Sequence, residues 1–155
     1  MIEIIHVGNS NYLEEVRRLF REYADLIGID LSFQNFDAEL ANLPAGYLPP
    51  DGALLLALND NQAAGCVALR QFEAETCEMK RLYVRPHFRS LNIGGKLAQE
   101  IINEAKKFGY KQMVLDTLSS SMSKAQSLYV SLGFKEIPAY RYNPEADAVF
   151  MQLDL

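Results

Sequence analysis

Hydrophobic residues recur along the N-terminal part of the chain with two spacings, and each spacing predicts a different element. Apolar residues cluster over residues 2–7, which favours a short strand, and then recur every three or four positions over residues 13–27, which favours a helix. Gly28 suits the left-handed residue that ends many helices. Residues 29–52 are rich in Phe, Tyr and Pro, and we predict a lid or binding segment with one short helix near Asp37.

The remainder of the chain alternates between strand and helix patterns. Two apolar runs joined by the turn NDNQ predict a hairpin, and the turn EAET leads into a third strand over residues 77–84. A helix over 93–108, the strand QMVLDT, a helix over 123–132 and the strand AVFMQLDL follow, with Gly109 and Gly133 after the two helices. The order predicts an α/β (α+β) fold with a mixed, mostly antiparallel central sheet and helices on both faces.

Length and composition predict one globular domain over residues 1–155 and narrow the class of function. The formal net charge of −5 argues against nucleic-acid or anionic-membrane partners, which bind basic surfaces. The first residues do not resemble a signal peptide, and no apolar run is long enough to span a bilayer. Two cysteines without a CxxC pattern, together with two isolated histidines, predict no metal site and a reduced, cytoplasmic location.

One stretch has a charge opposite to that of the whole chain. Five basic residues lie between positions 80 and 96, and no Asp or Glu occurs over 79–99. A helix that begins near Ile93 presents unpaired N–H groups and the positive end of its dipole to the preceding turn, which Asn92, Gly94 and Gly95 suit. Solvated basic residues around an ordinary turn are the alternative, but the missing acids favour a pyrophosphate site.

Two motifs in this region resemble those of a known enzyme family. The segment LYVRPHFRSLNIGGKLAQEI resembles the acetyl-CoA signature of the GNAT N-acetyltransferase superfamily, in which Q/R-x-x-G-x-G/A opens a helix. Arg89, Asn92 and Gly94 occupy the three defined positions, with Asn in place of the usual Gly. The later segment AQSLYVSLGFKEI matches the family's helix–Tyr–Gly-Phe segment, and the resemblance is strong for about 65 residues from Cys77 onward.

The resemblance implies a GNAT fold, acetyl-CoA as co-substrate, and a sheet with a splayed strand pair. The pantetheine arm would lie between the splayed strands and pair with main-chain groups of Leu82 and Val84, and the Val84 N–H would polarise the acetyl carbonyl. Backbone N–H groups over 89–95 would hold the pyrophosphate. The implied acetyl-CoA-binding residues are Leu82, Tyr83, Val84, Arg89, Ser90, Leu91, Asn92, Ile93, Gly94, Gly95 and Lys96.

The resemblance also assigns two catalytic residues. Glu78 begins the signature strand where several family members carry the base that deprotonates the amine, although it could equally be a solvent-facing carboxylate beside Lys80. Tyr129 lies where the family commonly places the tyrosine that protonates the departing sulfur. Helical spacing alone would make Tyr129 a core residue, so its assignment as the acid depends on the motif.

The acceptor pocket is predicted from the segment after the first helix. Residues 22–69 contain no Lys or Arg but seven acids, and they include Phe33, Phe36 and Tyr47. An acidic aromatic wall would suit a cationic amine, while a solvated acidic surface explains the same residues equally well. Near the C-terminus, Tyr142 is a further candidate, with its neighbours Tyr140 and Asn143.

These observations together predict an N-acetyltransferase that transfers acetyl from acetyl-CoA directly to a small-molecule primary amine in a ternary complex. Two alternatives remain open: an enzyme that acetylates proteins or peptides, and a non-catalytic acyl-CoA sensor on the same fold. The alternating residues of the last strand also allow pairing with a second subunit, as a possible homodimer.

Overall fold

A computed structural model describes residues 1–8, 10–28, 35–120 and 122–155. Its strands are β1 Ile2–His6, β2 Ala53–Asn59, β3 Gln62–Glu73, β4 Thr76–Val84, β5 Gln112–Leu118, β6 Lys135–Ile137 and β7 Ala148–Asp154. Its helices are α1 Leu13–Ile27, α2 Phe36–Asn42, α3 Ile93–Lys107 and α4 Ser123–Ser131, with a 3-10 helix over Pro86–Leu91.

The strands form one seven-stranded sheet in the order β1-β2-β3-β4-β5-β7-β6. Every neighbouring pair is antiparallel except β4 and β5, which are parallel. The predicted mixed, mostly antiparallel sheet is therefore confirmed. The prediction missed β6, a three-residue strand whose residues are mostly exposed and lack an apolar pattern.

The sheet separates two hydrophobic cores. On one face, α3 contributes Leu97 and Ile101 and α4 contributes Tyr129. On the other face, α1 contributes Leu19 and Phe20, and α2 packs beside them. The predicted helices on both faces are confirmed, and we call the two sides the α3 face and the α1–α2 face.

The two parallel strands stay paired over only part of their length. Pairing of β4 with β5 ends at Glu78 and Val114, although β4 continues to Val84 and β5 to Leu118. Just beyond this point the register of β4 against β3 shifts, and Arg81 adopts a left-handed conformation with φ of 61°. Such a bulge bends a strand, and the outcome here is a cleft between β4 and β5.

The last strand, β7, lies inside the sheet, with β5 on one side and β6 on the other. Both edges of this strand are therefore used within the sheet, at least in part, and the possible homodimer remains a prediction. The outer strands of the sheet are β1 and β6.

Among the described residues, no helix is both long enough and apolar enough to cross a bilayer. The same part of the chain contains no group of three His, Cys, Asp or Glu side chains suited to a metal ion.

Candidate functional site

The turn before α3 has the backbone geometry of an anion-binding helix end. Asn92 precedes the helix in a left-handed conformation, with φ of 57° and ψ of 31°. The N–H of Lys96 donates to the carbonyl of Asn92 at 3.2 Å, as in the first turn of an α-helix. The N–H groups of Ile93, Gly94 and Gly95 precede that bond and are the helix's orphan donors. They can donate to phosphate oxygens, with the helix dipole favouring the negative charge.

The two glycines of this turn have different surroundings. A Cβ on Gly95 would lie 2.6 Å from Oδ1 of Asn92, so a side chain there would displace Asn92. A Cβ on Gly94 would make only ordinary contacts, at 3.7 Å from Val84 and 3.9 Å from Leu128. Gly95 is therefore needed for the turn itself, whereas the protein leaves room beside Gly94.

The basic residues around this turn do not all face it. Nε of Arg85 donates to Glu22 at 3.0 Å, and a terminal nitrogen lies 3.1 Å from Glu15, so this guanidinium is committed to α1. Arg89 donates to the Val84 carbonyl at 2.9 Å and is exposed. Lys96 is also exposed. Of the predicted flanking cations, Arg89 and Lys96 are available to a phosphate, and Arg85 is not.

Tyr129 lies at the cleft between the splayed strands. The cleft is lined by residues from both strands and from the helices on either side, namely Tyr23, Met79, Lys80, Arg81, Leu82, Leu115, Asp116, Met122 and Tyr129. The Tyr129 side chain is only 4% exposed, and its ring centroid is 5.7 Å from that of Phe134. Burial raises the pKa of Tyr129 above its usual value, so it is a protonated phenol at neutral pH.

Glu78 lies at the centre of a buried ion cluster on the α1–α2 face. Its Oε1 accepts a hydrogen bond from Nε of Arg70 at 2.8 Å and lies 4.0 Å from Nζ of Lys80. Its Oε2 accepts hydrogen bonds from the Tyr140 hydroxyl at 2.7 Å and from the guanidinium of Arg141. The Glu78 residue is fully buried, so the alternative of a solvent-facing carboxylate is wrong. We call Arg70, Glu78, Lys80, Tyr140 and Arg141 the Glu78 cluster.

Charge repulsion and burial shift the pKa values inside this cluster. Burial raises the pKa of Glu78, but Lys80, Arg141 and Arg70 outweigh that effect and hold it below its ordinary value. Burial, aided by the nearby charge of Arg81, lowers the pKa of Lys80 to about 7. The cluster therefore keeps its carboxylate ionised at neutral pH, while one of its cations is close to losing its proton.

The bulge residue Arg81 forms a separate buried ion pair with α2. Its Nε and a terminal nitrogen donate to the two oxygens of Glu39 at 3.0 and 2.8 Å, and its side chain is 3% exposed. The guanidinium also lies 5.1 Å from the ring centroid of Phe36. Residues 80 and 81 are consecutive, yet both contact groups on the α1–α2 face, since the bulge interrupts the alternation of β4.

The predicted acceptor residues do not form one wall. Phe36 and Tyr47 are buried in the core of the α1–α2 face, with 9% and 3% exposure. Tyr142 is 74% exposed and lies on the surface, while its neighbour Tyr140 enters the Glu78 cluster. Phe33 lies outside the described residues.

The described acids of residues 22–69 fall into two groups. Glu22 and Glu39 form ion pairs with Arg85 and Arg81, which neutralise them. Asp25, Asp37, Asp51 and Asp60 are exposed, as the alternative of a solvated acidic surface expects.

Sequence reasoning placed Lys80 beside Glu78 but missed Arg70 and Arg141, the other basic members of the Glu78 cluster. Arg70 and Lys80 come from two strands and Arg141 from a C-terminal loop, which lies 63 residues from Glu78 along the chain. One signal was available: the position of Glu78 and Lys80 on the same side of one strand, two residues apart. No local sequence pattern links Arg141 to Glu78, because the two residues meet only in the folded chain.

Three comparisons with known proteins place this geometry in a family. The acetyltransferase (GNAT) family profile matches residues 13–134. An uncharacterized N-acetyltransferase of Schizosaccharomyces pombe is 46% identical, over 99% of this chain and 95% of its own length. The N-acetylaspartate synthetase of Danio rerio is 34% identical over 64% of this chain but only 36% of its own length.

A solved structure, the PaiA N-acetyltransferase of Thermoplasma acidophilum in complex with coenzyme A, shares the fold. It has a TM-score of 0.77 and 20% identity, over 100% of this chain and 99% of the other. The family match covers most of the chain, and it includes the turn before α3, the cleft and Tyr129. The chain therefore belongs to the acetyltransferase (GNAT) family, as an acetyl-CoA-dependent N-acetyltransferase.

Proposed function

We propose that this enzyme transfers acetyl from acetyl-CoA directly to the primary amine of a small molecule while both substrates are bound. The observation that carries the proposal is the cleft between β4 and β5. Tyr129 approaches it from the α3 face, on which the N-terminus of α3 also lies, while Lys80 links it to the α1–α2 face. A cleft reached from both faces lets donor and acceptor meet without a covalent enzyme intermediate.

The donor would bind on the α3 face. The backbone N–H groups of Ile93, Gly94 and Gly95 would hold the diphosphate, with Arg89 and Lys96 beside it. Main-chain groups of Leu82 and Val84 would pair with the pantetheine amides, as the splaying of β4 from β5 allows. Acetyl-CoA supplies an activated thioester carbonyl at the cleft.

Tyr129 is the proposed acid. When the acceptor nitrogen bonds to the acetyl carbon and the carbon–sulfur bond breaks, the sulfur leaves as a thiolate that needs a proton. A phenol whose pKa is raised by burial is protonated at neutral pH and lines the cleft where the thioester would lie.

Glu78 is the proposed base, and its surroundings affect both its ionisation and its proton affinity. Its carboxylate is ionised, as a base must be, but three cations and a tyrosine hydroxyl lower its proton affinity. A base works best with a pKa near the working pH. A second role therefore competes: Glu78 holds the cations in place, and water in the cleft takes the amine proton.

The pH profile of Glu78→Gln separates these two roles. A base assignment predicts that the alkaline rise of kcat/KM is flattened or shifted in the variant. A holding role predicts a higher KM for the acceptor with the same profile.

The test of the proposed function is an acetyl-CoA turnover screen with detection of released thiol, over polyamines, amino sugars, amino acids and peptides. Coenzyme A binding is measured separately by calorimetry. Turnover with small amines supports the proposal. Turnover with peptides or proteins alone would replace the small-molecule acceptor with a macromolecular one, and binding without any turnover would indicate an acyl-CoA sensor. The similarity to the N-acetylaspartate synthetase of Danio rerio supports a small-molecule acceptor.

A further inference from the structure

The Glu78 cluster contains more positive than negative charge, although most of it is buried. Among the described residues, this one carboxylate pairs with two guanidinium groups, those of Arg70 and Arg141, whose side chains are 39% and 15% exposed. Buried charge is expensive unless it is compensated. Nearby Arg81 and Glu39 neutralise each other and supply no spare negative charge. The cluster is therefore a place where a further anion would be stabilised.

One donor in this cluster lacks a partner. Nε of Arg141 is buried without a hydrogen bond, and it is the one such buried side-chain atom among the residues that the structure describes. A buried polar group without a partner costs free energy, and such groups are rare in folded proteins. A guanidinium presents its N–H groups in a planar fork that matches a carboxylate. Both the charge and the orphan donor thus favour a bound carboxylate.

The position of the cluster connects it to the reaction. Lys80 contacts Glu78 and also lines the cleft together with Tyr129. Glu78 and Lys80 stand opposite Arg70 and Ala68 of β3, and Ala68 belongs to the core of the α1–α2 face. The cluster thus lies on the face opposite the turn before α3, from which an acceptor could reach the cleft without meeting coenzyme A.

We infer that the acceptor is an amino acid whose free carboxylate binds to Arg141 and Arg70 in the Glu78 cluster, with its amine directed into the cleft. The inference rests on the proposed acetyl transfer and specifies its acceptor. Lys80 belongs both to the cluster and to the lining of the cleft, and it therefore connects a carboxylate held there with the place of reaction. A polyamine or an amino sugar lacks the anionic group.

The same cations also help to make the nucleophile. An amine attacks a thioester only in its neutral form, and nearby positive charge disfavours the ammonium form. The burial and repulsion that lower the pKa of Lys80 to about 7 act in the same direction on an acceptor amine nearby. The cluster therefore binds the carboxylate and favours the reactive form of the amine at once.

The test compares each amino acid with its own carboxamide, which keeps the amine and the shape but removes the charge. We expect wild-type kcat/KM to favour the free acids by about tenfold or more, since a charge-assisted hydrogen bond is roughly twice as strong as a neutral one. In Arg141→Gln this preference should fall towards one, mainly through a higher KM for the acid. Arg141→Lys should restore part of it, and Lys111→Gln, at a distant exposed cation, should leave it unchanged.

The controls keep the outcome decisive. Coenzyme A calorimetry on each variant shows that it is folded, and Arg70→Gln gives a second, more exposed site to probe if Arg141→Gln does not fold. Equal use of acids and carboxamides by wild type, or a preference that survives both substitutions, overturns the inference while leaving acetyl transfer intact. If no amine is acetylated, the proposed function fails instead, and calorimetry of acids against carboxamides on the coenzyme A complex still decides the carboxylate site.

Discussion

Removing the charge of Glu39 tests whether the bulge in β4 depends on the buried ion pair. Glu39→Gln keeps the size of the side chain but leaves the Arg81 guanidinium, 3% exposed, without its carboxylate. Two hydrogen bonds, at 3.0 and 2.8 Å, lose their charged acceptor. The backbone of Arg81 is itself in a left-handed conformation, which is unfavourable for a bulky residue unless its surroundings hold it.

The expected cost follows from the burial of the pair. Removing one partner of a buried ion pair typically costs about 3–5 kcal/mol of unfolding free energy, because an uncompensated charge remains. For a chain of this length that corresponds to a fall in Tm of about 10 °C. Pairs between exposed side chains contribute about 0–1 kcal/mol. Glu75→Gln is the matched control, since Glu75 and Lys111 are 63% and 70% exposed and 3.6 Å apart.

Urea unfolding followed by far-UV circular dichroism measures both variants, since the chain has no tryptophan to report by fluorescence. We expect Glu39→Gln to lose several times more stability than Glu75→Gln. The double variant Glu39→Leu/Arg81→Met should recover part of the loss, because it removes both charges together. The reasoning is refuted if Glu39→Gln and Glu75→Gln lose similar unfolding free energies. It is also refuted if the double variant is no more stable than Glu39→Gln.

Three further predictions concern the turn before α3, the acid and the Glu78 cluster. Gly95→Ala should weaken coenzyme A binding about tenfold or more, because its Cβ would push the Asn92 side chain out of the turn. Gly94→Ala should leave the free protein's Tm unchanged; calorimetry and thermal unfolding check both variants. Tyr129→Phe should lower kcat about 10²-fold with little change in coenzyme A affinity. Steady-state assays measure this with Tyr12→Phe as the control, and an unchanged kcat would refute the assignment of Tyr129 as the acid. The pKa of Glu78 is lower in the folded state, so its ionisation stabilises the fold above pH 4.5, and this stability is lost as the pH falls further. In urea titrations at decreasing pH, Glu78→Gln should lose less stability than the wild type.

The parts of this protein that local sequence determines could be predicted. Gly28, Gly109 and Gly133 follow their helices with positive φ, because glycine ends a helix in this conformation at little cost. The start of α3 after the turn at Asn92 could equally be predicted, since it depends on consecutive residues. The bulge at Arg81 could not be predicted, because nothing in the local sequence favours a left-handed conformation for an arginine. Its guanidinium pairs with Glu39, 42 residues away.

The charge of the acceptor region shows why counting residues along a chain is a poor guide to a site. The chain is acidic overall, and residues 22–69 contain acids but no basic side chain. Folding pairs Glu22 with Arg85 and Glu39 with Arg81, so those acids are neutralised before a ligand arrives. Around Glu78, by contrast, two guanidinium groups, those of Arg70 and Arg141, meet one carboxylate. A local surplus of positive charge favours an anionic group, whereas the composition of residues 22–69 suggested a cationic amine.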